Sequence, residues 1–317
     1  DYGEWLYNEQ GIEYNGPGDK DFNILNAKRM NSILKGVYGF EQQGSILLLD
    51  ETKITDDDSN LSKDGIKNAI TSIPSDYDDT VVFYYYGEGK ENGIRTNWGN
   101  INDSELMSYL KDIKAKHIDV IMESCNSGSF VDEYQTQIGA SKGSIYASSA
   151  ADESSIGNNF PVVGGSIFST WFMDGLTNKN LLPAYLRPFY ANGNLPSLFT
   201  PVDANGDGIL TEQETFNYAK EMTSAATWWD PQHPEMFPLT RNDTIAELDD
   251  DFKKRVSNIS FFMGSPADLV IIDPFGNILS KNQNDFGDNA FYFEGDIFGD
   301  GHIYSIASIF SVLSEGG

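Results

Sequence analysis

Apolar residues along this chain fall into two alternating rhythms. Continuous runs of strand length occur at Ser45–Leu49, Thr80–Tyr86, Ile118–Glu123 and Ser144–Ser148. Between them, apolar positions three and four apart predict helices over Asn26–Leu34, Ser62–Ile73, Asn102–Lys116 and Ser166–Met173. Pro74 ends the second helix. Asn102 stands where an N-cap belongs, with Glu105 three residues on, and Leu106, Tyr109, Leu110 and Ile113 share one face. Trp5–Tyr7 predicts one further short strand in an otherwise irregular start. Strand and helix in alternation predict an α/β fold, a mostly parallel sheet with helices on both faces. Sites in such sheets form where loops leave the carboxyl ends of strands. Gly87-Glu88-Gly89 and Ser124-Cys125 both stand at such ends.

After Asn194 the pattern changes. A helix is expected around Glu212–Met222, then a Trp- and Pro-rich connection from Trp228 to Pro238. Ile259–Met263, Asp268–Ile272 and Ala290–Phe293 read as strands, with a turn at Asp273-Pro-Phe-Gly276. The expected organisation is an α/β domain over 1–194, a loop-and-helix segment over 195–255, and a small all-β module over 256–317. Its few strands suggest a module that is incomplete or finished by another chain.

One loop carries a specific chemistry. Asp203-Ala-Asn205-Gly-Asp207-Gly208-Ile209-Leu-Thr211-Glu-Gln-Glu214 fits the EF-hand calcium loop at every liganding position. Asp203, Asn205 and Asp207 supply hard side-chain oxygens, and Gly208 permits the sharp turn. Ile209 offers its carbonyl, Thr211 binds directly or through water, and Glu214 closes the site with two oxygens. Pro196 and Pro201 break any regular helix on the entering side, and the sequence offers no second loop to pair with it. The expected cofactor is therefore Ca2+ in a structural role, in a calcium-rich extracellular or cell-surface setting.

Composition narrows the partners. The net charge of the 317 residues is -27, the wrong sign for nucleic acid or anionic lipid surfaces. No run approaches the roughly 18 apolar residues of a membrane span. Cys125 is the single cysteine, so the chain holds no internal disulfide.

The residues around that cysteine resemble a family. Glu123-Ser124-Cys125-Asn126-Ser127-Gly128-Ser129 resembles the nucleophile motif of legumain-type cysteine peptidases, which belong to the caspase-like clan. Tyr146-Ala-Ser-Ser-Ala-Ala-Asp-Glu153-Ser154-Ser155 resembles the next strand and the substrate-pocket loop. Tyr84-Tyr-Tyr-Gly87-Glu88-Gly89 stands in the place of the strand that ends in Gly-His-Gly. The order and spacing match over roughly residues 26–176. The resemblance implies a caspase-like sheet, Cys125 as nucleophile, and the amides of Gly89 and Cys125 holding the oxyanion. It implies a pocket lined by Glu123, Ser154 and Ser155, with Ser166 where an acidic residue is expected.

Glu88 occupies the position of the general-base histidine. A carboxylate there repels a thiolate instead of stabilising it, and it is poorly suited to proton transfer near neutrality. Of the three histidines, His117 precedes the Cys125 strand and belongs at the far end of the sheet. His233 and His302 read as surface loop residues, with His233 the one substitute donor to consider. The sequence thus points to a secreted calcium-binding relative of these peptidases, impaired in catalysis and serving in binding of a peptide or protein, or in self-assembly. An active cysteine endopeptidase using Cys125 and a structural subunit of a surface layer or filament are the alternatives.

Overall fold

The structure is a computed structural model. It describes residues 19–40, 62–96, 99–158, 165–178, 201–227, 230–255, 257–263, 270–272, 278–280, 282–284, 290–295 and 304–311. The strands expected at Trp5–Tyr7 and Ser45–Leu49, the turn at Asp273–Gly276, and His302 lie outside the described residues.

Helices α1 (Asp19–Gly36) and α2 (Lys63–Thr71) precede strand β1 (Thr80–Tyr86). Short strands β2 (Gly89–Lys90), β3 (Gly93–Thr96) and β4 (Gly99–Asn102) lead into α3 (Asp103–Lys111). Then come β5 (His117–Glu123), α4 (Ser129–Gln137), β6 (Ile145–Ala147), β7 (Gly157–Asn158), β8 (Gly165–Ser166) and α5 (Ile167–Thr177). Further on lie β9 (Ile209–Thr211), α6 (Glu212–Ala226), β10 (Glu235–Phe237), β11 (Thr244–Glu247) and α7 (Asp250–Arg255).

The central sheet runs β1-β5-β6-β10. β1 pairs parallel with β5, and β5 parallel with β6, while β10 closes the far edge antiparallel to β6. The protein is therefore a mixed α/β structure with a mostly parallel central sheet. Alternation along the strands sends side chains to two cores. Val82, Tyr84, Ile121, Tyr146 and Met236 join the core under α1, α5 and α6. Val81, Phe83, Val120, Met122 and Ile145 join the core under α2, α3 and α4. Helices thus cover both faces. Every residue of α5 is buried, as its apolar sequence Ile-Phe-Ser-Thr-Trp-Phe-Met requires of a helix with no solvent face. Each large apolar side chain there contributes about 1.5–3 kcal/mol by leaving water. Val202, Leu210, Phe216, Met222 and Phe252 lie in the same core as α1 and α5, so residues on both sides of the expected boundary at 194 share one interior.

Local chemistry sets the element ends. The Ser62 hydroxyl caps α2 by accepting the Gly65 amide (3.0 Å). Asn102 is the N-cap of α3 but makes no side-chain cap bond. The helix expected to reach Lys116 stops at Lys111, because the Lys116 amide is taken by the Asp79 carbonyl (2.8 Å) to start β5 beside β1. Strand β10, helix α4 and the β2–β4 meander are additions to the expected elements. Among the described C-terminal residues, β12 (Ser257–Met263), β16 (Ala290–Gly295) and β17 (Tyr304–Ser311) pair antiparallel in the order β12-β17-β16. Strands β13 (Ile271–Ile272), β14 (Ile278–Ser280) and β15 (Gln283–Asn284) form a second small sheet. Among the described residues, no helix is long and apolar enough to cross a membrane.

The amino ends of the parallel strands hold a charged knot. Arg241 donates to the carbonyls of Ala140 (2.8 Å) and Gly143 (2.7 Å) and to Asp243 (2.8 Å). His117 stands here, its Nδ1 3.3 Å from Arg241. Burial, then the charge of Glu212, push the Asp119 carboxyl from 3.8 up to about 7, against the pull of the Ser144 amide and Arg241. The folded protein therefore holds a proton that the unfolded chain releases, and the stability this contributes is lost as pH rises from about 4 through 7. Asp119→Asn is expected to raise stability at neutral pH and flatten its pH dependence across that window, measured by urea unfolding.

Candidate functional site at the carboxyl ends of the sheet

The β1–β5 register pairs Tyr86 with Glu123, so both chains leave the sheet side by side. The Gly87 amide continues the pairing onto the Glu123 carbonyl (3.1 Å). Two residues further, Gly89 lies against the backbone of Cys125. A β-carbon built on Gly89 would overlap the Cys125 carbonyl and come within 2.9 Å of its amide nitrogen. Only glycine permits that approach. The turn carrying Glu88 and the turn carrying Cys125 are thus one structure.

Glu88 is fixed through its backbone. Its carbonyl accepts the Arg95 amide (2.9 Å) and the Tyr85 hydroxyl (3.0 Å). Its side chain is half-buried; burial raises its carboxyl above the usual range while Arg95 draws it down. Cys125 is half-buried too, with its Sγ 3.9 Å from the Ser155 carbonyl. Asn126 follows in a left-handed conformation, φ 57°, that asparagine tolerates better than most residues. Its amide donates to the Glu153 carbonyl (2.7 Å) and its Nδ2 to the Ala151 carbonyl (2.9 Å). The turn is thereby tied to loop 148–156, which leaves the end of β6.

The expected pocket residues are only partly brought together. Glu123 is 2% exposed and accepts from the Ser169 amide (2.8 Å), the Ser169 hydroxyl (2.9 Å) and the Ser155 hydroxyl. Ser166 bonds it as well and is the N-cap of α5, its hydroxyl accepting the Ser169 amide (3.2 Å). Burial raises the Glu123 carboxyl, and these bonds oppose it. Placement at a helix N-terminus further favours its charge. Glu123, Ser155 and Ser166 therefore form a closed hydroxyl cage, while Ser154 is exposed on the loop and stands apart. The cage partner Ser169, and the Tyr84 hydroxyl 2.9 Å from it, were not singled out from the sequence.

His233 is an exposed loop residue, as expected, but it also has a specific partner near the cysteine turn. Because β10 runs antiparallel to β6, with Glu235 opposite Ala147, the residues before it stand at the same end of the sheet as Cys125. His233 Nδ1 lies 2.5 Å from Glu153 Oε1, and its amide donates to Oε2 (2.9 Å). Burial pushes the Glu153 carboxyl up, but the bonds from His233 and from the Ala150 amide outweigh it and hold it below the usual range.

No protein-family model matches the chain, and no curated protein does.

The loop 203–214 is a separate candidate site. Gly206 and Gly208 have φ of 73° and 80°, values that favour glycine. Asp203 accepts the amides of Gly206 (2.8 Å) and Gly208 (3.0 Å), Asn205 that of Asp207 (2.8 Å), and Asp207 that of Ile209 (2.8 Å). Glu214 reaches back across the loop to the Ala204 amide (3.2 Å) and also takes the Thr211 amide (3.1 Å) and hydroxyl (2.8 Å). Among the described residues, no three His, Cys, Asp or Glu side chains are grouped as a metal site. Here each carboxylate accepts amides of its own loop. The donor set remains all hard oxygen on a closed loop, which fits calcium. In place of a second such loop, β11 braces this one, pairing Leu210 with Ala246. Glu212, within the loop and at the start of α6, accepts from Tyr146 (2.8 Å) and so ties the loop to the central sheet.

Proposed function

We propose that this chain is a calcium-holding homologue of the legumain/caspase-like cysteine peptidases, built on their α/β core and followed by a small β module. In this reading it works outside the cell or at its surface, and the Cys125 rim binds a peptide or protein segment. Glu88 at the general-base position impairs peptide hydrolysis. The observation that carries the reading is the packing of Gly89 on Cys125, which sets Glu88 on the turn beside the single thiol. In the family this turn carries the imidazole that stabilises the thiolate and protonates the leaving amine. An active endopeptidase is the second reading, favoured by the imidazole of His233 at the same end of the sheet.

The test is labelling by peptide probes bearing a thiol-reactive group after Asn, Asp or Arg. Sequence-selective labelling that disappears in Cys125→Ala is expected. Labelling equal to that by a peptide-free reagent would end the peptide-site reading.

In this reading Asp203, Asn205, Asp207, Ile209, Thr211 and Glu214 hold Ca2+, which neutralises the loop and fixes it to α6. Calcium at a hundred times its dissociation constant is expected to stabilise the fold by about 2.7 kcal/mol. Melting in calcium and in chelator should therefore differ for the parent protein and coincide for Glu214→Gln. Identical melting of the parent in both would rule the ion out.

A further inference from the structure

The connection between α6 and β10 grips loop 148–156 at both ends and in the middle. Gln232 is fully buried. Its Nε2 donates to the Ser148 carbonyl (2.6 Å) and its Oε1 accepts the Ile156 amide (2.9 Å). One side chain thus joins the two ends of the loop. The task needs a donor and an acceptor at once, which a glutamine amide supplies and a carboxylate or thioether does not. The Gln232 backbone is itself anchored to α6, its amide on the Thr227 hydroxyl (3.1 Å) and its carbonyl accepting the Ser224 hydroxyl (3.3 Å).

His233 holds the middle through the Glu153 carboxylate, which also accepts the Ala150 amide (3.2 Å). Pro231 and Pro234 flank the pair and restrict its backbone. On its other side the loop meets the cysteine turn. The carbonyls of Glu153 and Ala151 hold Asn126, and that of Ser155 meets the Cys125 sulfur.

We propose that Gln232 and His233 are positioning residues for Cys125, clamping loop 148–156 so that its carbonyls hold the left-handed Asn126 turn and define the surroundings of the thiol. The assignment rests on reading this rim as the working site.

The test is the rate at which iodoacetamide, a reagent with no peptide portion, alkylates the single cysteine across roughly pH 6–9, where thiols and imidazoles titrate. His233 is exposed, so His233→Ala should fold, and a matched melting curve would establish that it does. His233→Ala is expected to change the alkylation rate by at least about threefold, the change carried by an ordinary hydrogen bond of modest net strength. Glu153→Gln, which weakens the same contact from the other side, should move the rate in the same direction. His233→Asn, which keeps a donor near the place of Nδ1, should restore the parent profile. Superimposed profiles for His233→Ala and the parent would overturn the proposal. So would a change that His233→Asn fails to rescue, since that outcome assigns His233 only bulk. Peptide-probe labelling can fail while this clamp is confirmed, and the reverse, so the two readings are separable.

Discussion

Gly89→Ala is expected to be among the most damaging single-methyl changes in this protein. The added carbon has nowhere to go: it meets the carbonyl and the amide nitrogen of Cys125, both backbone atoms. Overpacking of this kind costs about 1–3 kcal/mol and sometimes more. For a chain of 317 residues that is a fall in melting temperature of roughly 2–5 °C. Gly87→Ala, two residues earlier, is the matched control. The nearest atoms to its carbon would be the hydroxyl and ring of Tyr85, a side chain whose hydrogen bonds can lengthen, and not the backbone of a second strand end. The smaller loss is expected there. Beyond stability, Gly89→Ala should change the alkylation rate of Cys125, because the two turns can separate only by moving the cysteine backbone. Equal and mild effects at both glycines would mean that the two strand ends are not packed together as described.

Much of this arrangement is legible in the residues alone, for reasons that differ by element. Thr80–Tyr86 is bounded by turn residues and rich in β-branched and aromatic side chains, and the observed β1 has those limits. The mostly apolar stretch after Ser166 reads as a helix, and α5 is one, buried throughout. The sharp turn expected at Gly208 is present, with φ 80°, although no spacing rule indicates that β11 braces the loop.

What stayed hidden was set by tertiary pairing. β10 is three residues long between Pro234 and Pro238, a context that reads as a connection; it becomes a strand because β6 offers an open antiparallel edge. That pairing in turn carries Gln232 and His233 to the cysteine end of the sheet, which no local pattern announces. Of the serines of the Glu123 cage, Ser155 and Ser166 belong to the pocket that the resemblance implies, whereas Ser169 has no local signal of its role. A serine in a strand or at a helix start usually caps or faces solvent, and only the packed structure turns Ser155, Ser166 and Ser169 onto one carboxylate.

Glu88→His carries the other large expected effect. The half-buried carboxyl of Glu88 sits on the turn that packs against Cys125, and an imidazole there would supply the proton transfer that a carboxylate supplies poorly. A positioned acid–base group of this kind is worth about 10²–10⁴ in rate. Turnover of fluorogenic peptides with Asn, Asp or Arg before the cleaved bond, in calcium, is the measurement. Glu88→His should hydrolyse at least one of them about a hundredfold or more faster than the parent, and adding Cys125→Ala should abolish the gain. A well-folded Glu88→His protein no faster than the parent, or a gain that survives loss of the cysteine, would contradict the placing of residue 88 and Cys125 in a single peptidase-like site.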